Sequence, residues 1–173
     1  MKKGTQMKEI DERISIRKFE DDPVSDEDIM KILHAAMTAP SAADQQPWEF
    51  YIVRDPEIIE KLSKTCEFHR CATKAQVLLV FCKRLGEMAY PQFADLDLAN
   101  ATTTALLEIT YLGLGGVWLG VAPLQERIDY VKEVMDLPDD LQAFSMIPVG
   151  VPAKDRKERD RSKRIDDSRI HYL

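Results

Sequence analysis

Two short stretches hold the side chains with the most to offer chemically. In Arg13-Ile14-Ser15-Ile16-Arg17 polar and apolar residues alternate, so an extended backbone would turn Arg13, Ser15 and Arg17 to one side. Two guanidiniums and a hydroxyl converging there match the oxygens of a phosphate. A solvated edge crossed by salt bridges is the plainer reading of the same residues. The second stretch runs from Pro40 to Trp48, PSAADQQPW. Its prolines restrict the backbone, and Ser41, Asp44, Gln45 and Gln46 can hydrogen-bond a flat ligand. It holds too few acids or nucleophiles for a hydrolytic site.

The elements that must position these stretches can be read from capping residues and apolar spacing. A short helix is expected over 7–13, just ahead of the cationic segment. Ser25 is a good N-cap with Asp28 three residues on, and Ile29, Ile32, Leu33, Ala36 and Met37 then repeat with helical spacing. Pro40 disfavours helical geometry at Ala39 and ends that helix where the polar loop begins. Beyond the loop, Trp48–Val53 is aromatic and β-branched, the pattern of a strand. Asp55-Pro56 starts a further helix, expected to reach about Cys66.

The second half repeats the alternation of strand and helix. Val77–Cys82 is a continuous apolar run suited to a strand buried on both faces. A long helix is expected from about Phe93 to Leu112 although Thr102, Thr103 and Thr104 are poor helix formers, so packing must decide it. Gly113 and Gly115-Gly116 stop it. Val117–Val121 reads as a short extended piece. Pro123 precedes an amphipathic helix with Ile128, Val131, Val134 and Met135 inward, and Ala143–Val149 is a last core strand. From Ala153 to Arg169 charges alternate with basic residues in excess, and Ile170–Leu173 could pair as a strand.

Composition narrows the class. A chain of 173 residues suggests one domain, residues 1–173, and 45% hydrophobic with 31% charged residues fits a globular protein. A net charge of −6 argues against general nucleic-acid binding. The longest apolar run is far short of the ~20 residues a membrane helix needs. With no h-region after Met1-Lys2-Lys3-Gly4, and with Cys66, Cys71 and Cys82 forming no C-x-x-C pair, a reducing cytoplasm is expected. His34, His69 and His171 lack metal-ligand spacing, so no metal site is expected. Gly113-Leu114-Gly115-Gly116 is not a dinucleotide fingerprint, because position 118 is Trp118 rather than glycine. No G-x-S-x-G elbow and no obvious acid/base pair is present. Covalent work, if any, would fall to a bound cofactor.

The order and spacing of these pieces resemble the FMN-dependent nitroreductase family over roughly residues 9–172. Arg13, Ser15 and Arg17 match the family's R-R-S-x-R, with Ile14 departing from it. Pro40-Ser41-x-x-Asp44-x-Gln46-Pro47-Trp48 is similar to P-S-x-x-N-x-Q-P-W, with Asp44 in place of asparagine. Asp97 through Gly113-Leu114-Gly115 to Trp118 resembles the family's long helix and G-L-G-x-x-W turn. Gly150-Val151-Pro152, Arg164 and Ile170-His171 resemble its G-Y-P, late arginine and V-H ending.

The resemblance implies an α+β fold with a central mixed β-sheet flanked by helices, an intertwined homodimer, and two FMN sites at its interface. Arg13, Ser15, Arg17 and Arg164 would hold the flavin phosphate, with Ile14 beside them in the cofactor site, which makes the charged tail partly functional. Pro40, Ser41, Ala42, Asp44 and Gln46 would embrace the ring from the neighbouring subunit, and Leu119 and Gly120 would present backbone to it. No catalytic side chain is implied: NADH or NADPH would reduce the flavin, and a nitroaromatic, quinone or similar small flat acceptor would reoxidise it. Other members act on halogenated aromatics, destroy flavin or oxidise peptide heterocycles, and a flavin-binding regulatory homodimer without turnover is a further alternative. An ionised Asp44 can only accept hydrogen bonds and would oppose the negative charge of a reduced ring.

Overall fold

The computed structural model describes residues 7–154 and 164–173. After α1 (Lys8–Glu12) and an extended segment come α2 (Asp26–Met37), β1 (Trp48–Val53), α3 (Pro56–Leu62) and β2 (Val77–Arg84). The long α4 (Ala94–Tyr111), two short strands β3 (Gly115–Gly116) and β4 (Leu119–Gly120), α5 (Gln125–Met135) and β5 (Leu141–Gly150) complete the order. The sheet runs β1-β2-β5-β3, with β4 also pairing β5. These pairs are antiparallel throughout. The α+β class and the helix-flanked central sheet are as the sequence led one to expect.

The apolar run of β2 is buried on both faces because two helix layers cover it. Val77, Leu79 and Phe81 pack with Ile29, Ile32 and Ala36 of α2 and with Leu98, Ala101, Ala105 and Ile109 of α4. Leu78, Val80 and Cys82 point the other way, onto Ile59 and Leu62 of α3 and Ile128 and Val131 of α5. The period of two along the strand thus assigns alternate residues to two separate cores. Burial raises the Cys82 thiol to about 12, so it behaves as a small apolar residue.

Local chemistry sets the helix ends. The Ser25 hydroxyl accepts from Asp28 N at 3.0 Å, and Asp55 accepts from Glu57 N at 2.8 Å, caps worth about 1 kcal/mol each. In α4 the buried Thr102 hydroxyl bonds Leu98 O at 2.7 Å and lies 3.0 Å from Ser145 Oγ of β5. Both groups are completely buried, so the pair satisfies polar atoms that water cannot reach. Gly113 ends α4 at φ 72°, a left-handed turn that glycine adopts without strain.

Some local expectations are corrected. α3 stops at Leu62 rather than near Cys66, because the Ser63 and Thr65 hydroxyls turn back onto Glu60 O and Leu62 O and the chain tightens into 3-10 turns. Met37, expected on the buried face, is 45% exposed at the last position of α2. Val134 and Met135, at the end of α5, are only half-buried. Ile170–Leu173 forms no strand, and Tyr172 is 94% exposed. Of the charged run from Ala153 to Arg169, residues 155–163 lie outside the described residues.

Candidate functional site

The cationic segment is extended and tied to one end of the sheet. Ile16 is buried between exposed Ser15 and exposed Arg17, in keeping with the alternation, whereas Arg13 and Ile14 are both half-buried. Ile16 N donates to Gly116 O at 2.9 Å, Ala153 N to Lys18 O at 3.1 Å, and Phe19 bridges Pro152. Two glycines permit this approach: a Cβ on Gly115 would lie 2.7 Å from Ile16 Cγ2, and one on Gly150 would lie 2.8 Å from Phe19 Cδ1. Among the described residues Arg17 makes no ion pair or hydrogen bond. Its guanidinium lies close enough to Cys71 to oppose the burial that raises that thiol. The segment therefore offers an exposed cation and an exposed hydroxyl to an anion. Arg164 is exposed just past the undescribed stretch.

The glycine turn lies farther along the same edge. Leu119 sends its side chain into the core, so only its backbone could meet a ligand. Gly120 borders open space, and its carbonyl accepts from the Arg127 guanidinium at 2.9 Å. Behind it, Arg127 Nε and His69 Nδ1 are buried without partners among the described residues. Burial first, and the Arg127 charge second, lower the His69 pKa to about 4, so its imidazole is neutral.

The polar loop is more strained than its sequence suggests. Ala43, Asp44 and Gln46 all adopt left-handed backbone, with φ of 47°, 54° and 45°. Ser41 Oγ accepts from Gln46 N at 3.1 Å, and Gln46 Nε2 donates to Asp44 Oδ1 at 2.8 Å. Asp44 and Gln46 are exposed, while Pro47 and Trp48 are buried. A second set of residues holds the loop from beneath. Asp97 of α4 accepts from Ala42 N at 3.0 Å and from Gln45 Nε2 at 2.6 Å. Asn100 donates to Pro40 O at 3.2 Å, and Arg84 donates to the carbonyls of Gln45 and Gln46. A shallow hollow of about 360 Å³ lies between this loop and α4, with Ser41, Phe93, Leu96 and Asn100 in its wall.

The fold brings the cationic segment to the β3 edge and leaves the polar loop elsewhere. The loop enters β1 at Trp48, which pairs Lys83, whereas the segment bonds Gly116, whose strand neighbours are Val149 and then Val77. Val77 to Lys83 is about 20 Å along β2, and β1 to β3 is about 14 Å across the sheet. The two stretches sit at opposite corners of one chain.

The model of the nitroreductase family matches residues 10–67 and 69–151. This chain belongs to the nitroreductase family. A chain of Archaeoglobus fulgidus, provisionally named for NADH dehydrogenase and NAD(P)H nitroreductase activity, is 38% identical over 167 residues, with 95% of each chain covered. Among solved structures, a provisionally named NADH oxidase of Clostridium acetobutylicum superposes with a TM-score of 0.88 at 39% identity, over 94% of this chain and 97% of that one. An FMN-dependent nitroreductase of Clostridium difficile gives a TM-score of 0.85 at 26% identity, over 95% and 96%. The Archaeoglobus fulgidus and Clostridium acetobutylicum relatives are NAD(P)H oxidoreductases by name, and this chain is an enzyme of that broad kind.

Sequence reasoning passed over Arg84 and Asn100, and gave Gln45 and Asp97 no part in shaping the loop from below. A signal for Asp97 was present. It falls three residues after Ala94 and four before Ala101, on the buried stripe of α4, where an acid must have donors waiting for it. Arg127 and His69 left no comparable trace, because their meeting depends on how α5 packs against the turn at Glu67–Lys74.

Proposed function

We propose that this nitroreductase binds FMN, takes reducing equivalents from NADH or NADPH, and passes them to a flat, electron-poor acceptor such as a nitroaromatic or a quinone. The observation that carries this reading is the pair of exposed, chemically distinct half-sites at opposite corners of one chain. One is cationic, built for phosphate; the other is rich in hydrogen-bonding groups, suited to the edge of a heterocycle. The FMN dependence of the Clostridium difficile relative supports it.

The residues fit the cofactor. Arg13, Ser15, Arg17 and Arg164 hold the phosphate, with Ile14 contributing backbone. Pro40, Ser41, Asp44 and Gln46 face the ring edge. Ala42 touches the ring without its N–H, which Asp97 already occupies. Leu119 and Gly120 offer backbone, and the open face of Gly120 leaves room for a ring. The chemistry FMN supplies when bound is hydride uptake at N5 from the nicotinamide and its delivery to the acceptor. The chain itself binds and orients.

Separation of the two half-sites within one chain is resolved if each FMN site takes its phosphate clamp from one subunit and its polar loop from another. The intertwined homodimer that this needs is supported by the apolar groups left exposed: Met30 and Met37 on α2, Leu96 and Tyr111 on α4, and Ile170 and Tyr172 in the tail. The single domain of residues 1–173 and a cytoplasmic setting complete the proposal. No helix among the described residues is long and apolar enough to cross a membrane.

Purified protein is expected to be yellow, to bleach when NADH or NADPH is added without oxygen, and to recolour with menadione or a nitroaromatic. Colourless protein that takes up no added FMN would overturn the assignment. Retained flavin that NADH and NADPH fail to bleach would instead make it a flavin-holding dimer without turnover. Dilution into the monomer range should release FMN at the same protein concentration at which the dimer dissociates.

A further inference from the structure

Asp97 occupies a position where any acid is costly. It is 3% exposed, on the face of α4 that packs into the core, yet its carboxylate is fully engaged by the loop. Oδ1 accepts from the backbone N–H of Ala42 at 3.0 Å, and Oδ2 accepts from Gln45 Nε2 at 2.6 Å. Its place in the first turn of α4 also favours a negative charge. The Gln45 amide is then fixed in orientation. A carboxylate can only accept, so Nε2 must face Asp97. That leaves the second Nε2 proton for Tyr90 O at 3.0 Å and Oε1 for Tyr90 N–H at 3.0 Å. Each polar side-chain atom of Asp97 and Gln45 thus has a partner that fits.

The loop above this network carries three left-handed residues without a glycine among them, and such backbone persists only where its surroundings over-determine it. We infer that Asp97 is a positioning residue: its buried carboxylate holds the strained Ser41–Gln46 turn in the shape that presents Ser41, Asp44 and Gln46 to a ring ligand. The network also ties that turn to the Tyr90 backbone, just ahead of α4. This inference rests on the FMN reading above for the identity of the ligand.

Asparagine cannot replace Asp97 here. One of the two donors, Ala42 N–H or Gln45 Nε2–H, would meet the new side chain's own NH2 group. A Gln45→Glu change would restore an acceptor facing that NH2 and keep one for Tyr90 N–H, at the expense of Tyr90 O.

The test compares binding of FMN and of riboflavin, which has the same ring without the phosphate, to full-length protein by fluorescence quenching and visible spectroscopy. Asp97→Asn and Asp97→Ala should weaken both flavins by the same factor, about ten- to hundred-fold, and shift the absorption bands of bound flavin. Arg17→Gln should weaken FMN while leaving riboflavin unchanged. The double variant Asp97→Asn/Gln45→Glu should recover part of the riboflavin affinity lost in Asp97→Asn. Thermal melts identify variants that have failed to fold; if both single variants do so, the double variant is read against the wild type, and its failure to fold and bind riboflavin overturns the inference. The inference is overturned if folded Asp97 variants bind riboflavin with unchanged affinity and spectrum, or if the double variant binds it no better than Asp97→Asn. Wild-type protein that binds neither flavin would sink the FMN reading itself, a result separable from both of these.

Discussion

At the scale of single residues, Asp44 is the departure with the clearest electrostatic consequence. It is exposed, it lies at φ 54°, and one carboxylate oxygen accepts from Gln46 Nε2. Asparagine is among the residues that best tolerate left-handed backbone, and its Oδ1 could accept the same bond. Asp44→Asn is therefore a change of charge with little change of shape. Removing a negative charge beside the ring edge should ease reduction of bound flavin. We expect the midpoint potential to rise by about 30 mV, equivalent to ~1.4 kcal/mol for a two-electron couple. A spectroelectrochemical titration at neutral pH that finds no upward shift would remove Asp44 from the ring's surroundings.

At the scale of elements, the cationic segment owes its place to what lies beneath it. Gly115 lets Ile16 sit on β3, and Gly150 does the same for Phe19 on β5. Neither glycine is needed there for left-handed backbone; each is needed for close approach. Gly115→Ala would drive a methyl into Ile16, and overpacking of this kind costs about 1–3 kcal/mol. The displaced segment carries Ser15 and Arg17 with it. Denaturant unfolding should show the loss of stability, and FMN affinity should fall more than riboflavin affinity. Equal losses for both flavins would place the segment away from the phosphate.

At the scale of the whole molecule, the buried His69 links folding to pH. Its pKa is about 4 in the folded chain against an ordinary 6.5, through burial and the neighbouring Arg127. Between those values the unfolded chain binds the proton that the folded chain excludes, so acid favours unfolding. The contribution is complete above about pH 6.5, is lost progressively as pH falls toward 4, and changes little below that. Its full size is up to about 3 kcal/mol. Urea midpoints measured between pH 4 and 7 should fall with acid more steeply for the native protein than for His69→Gln. Parallel profiles would show that His69 titrates normally and that its pocket admits water.

The sequence by itself determined the local elements and the residue types of both half-sites. Ser25 and Asp55 marked helix starts, the alternation through Arg13–Arg17 marked an extended segment, and the unbroken run at Val77 marked a strand covered on both faces. Each of these signals is local, set by a cap, a period or a proline. The family likeness was legible for the same reason, because motif residues keep their spacing along the chain. Tertiary structure decided what lies beneath the motifs. Asp97 reaches Ala42 and Gln45 across more than fifty residues, and the left-handed turn it holds contains no glycine to announce it. Arg127 meets Gly120 and His69 only because α5 folds back on the sheet. The resemblance implied that the two half-sites serve different subunits, but their distance and direction within one chain follow from strand order and register, which no single stretch encodes.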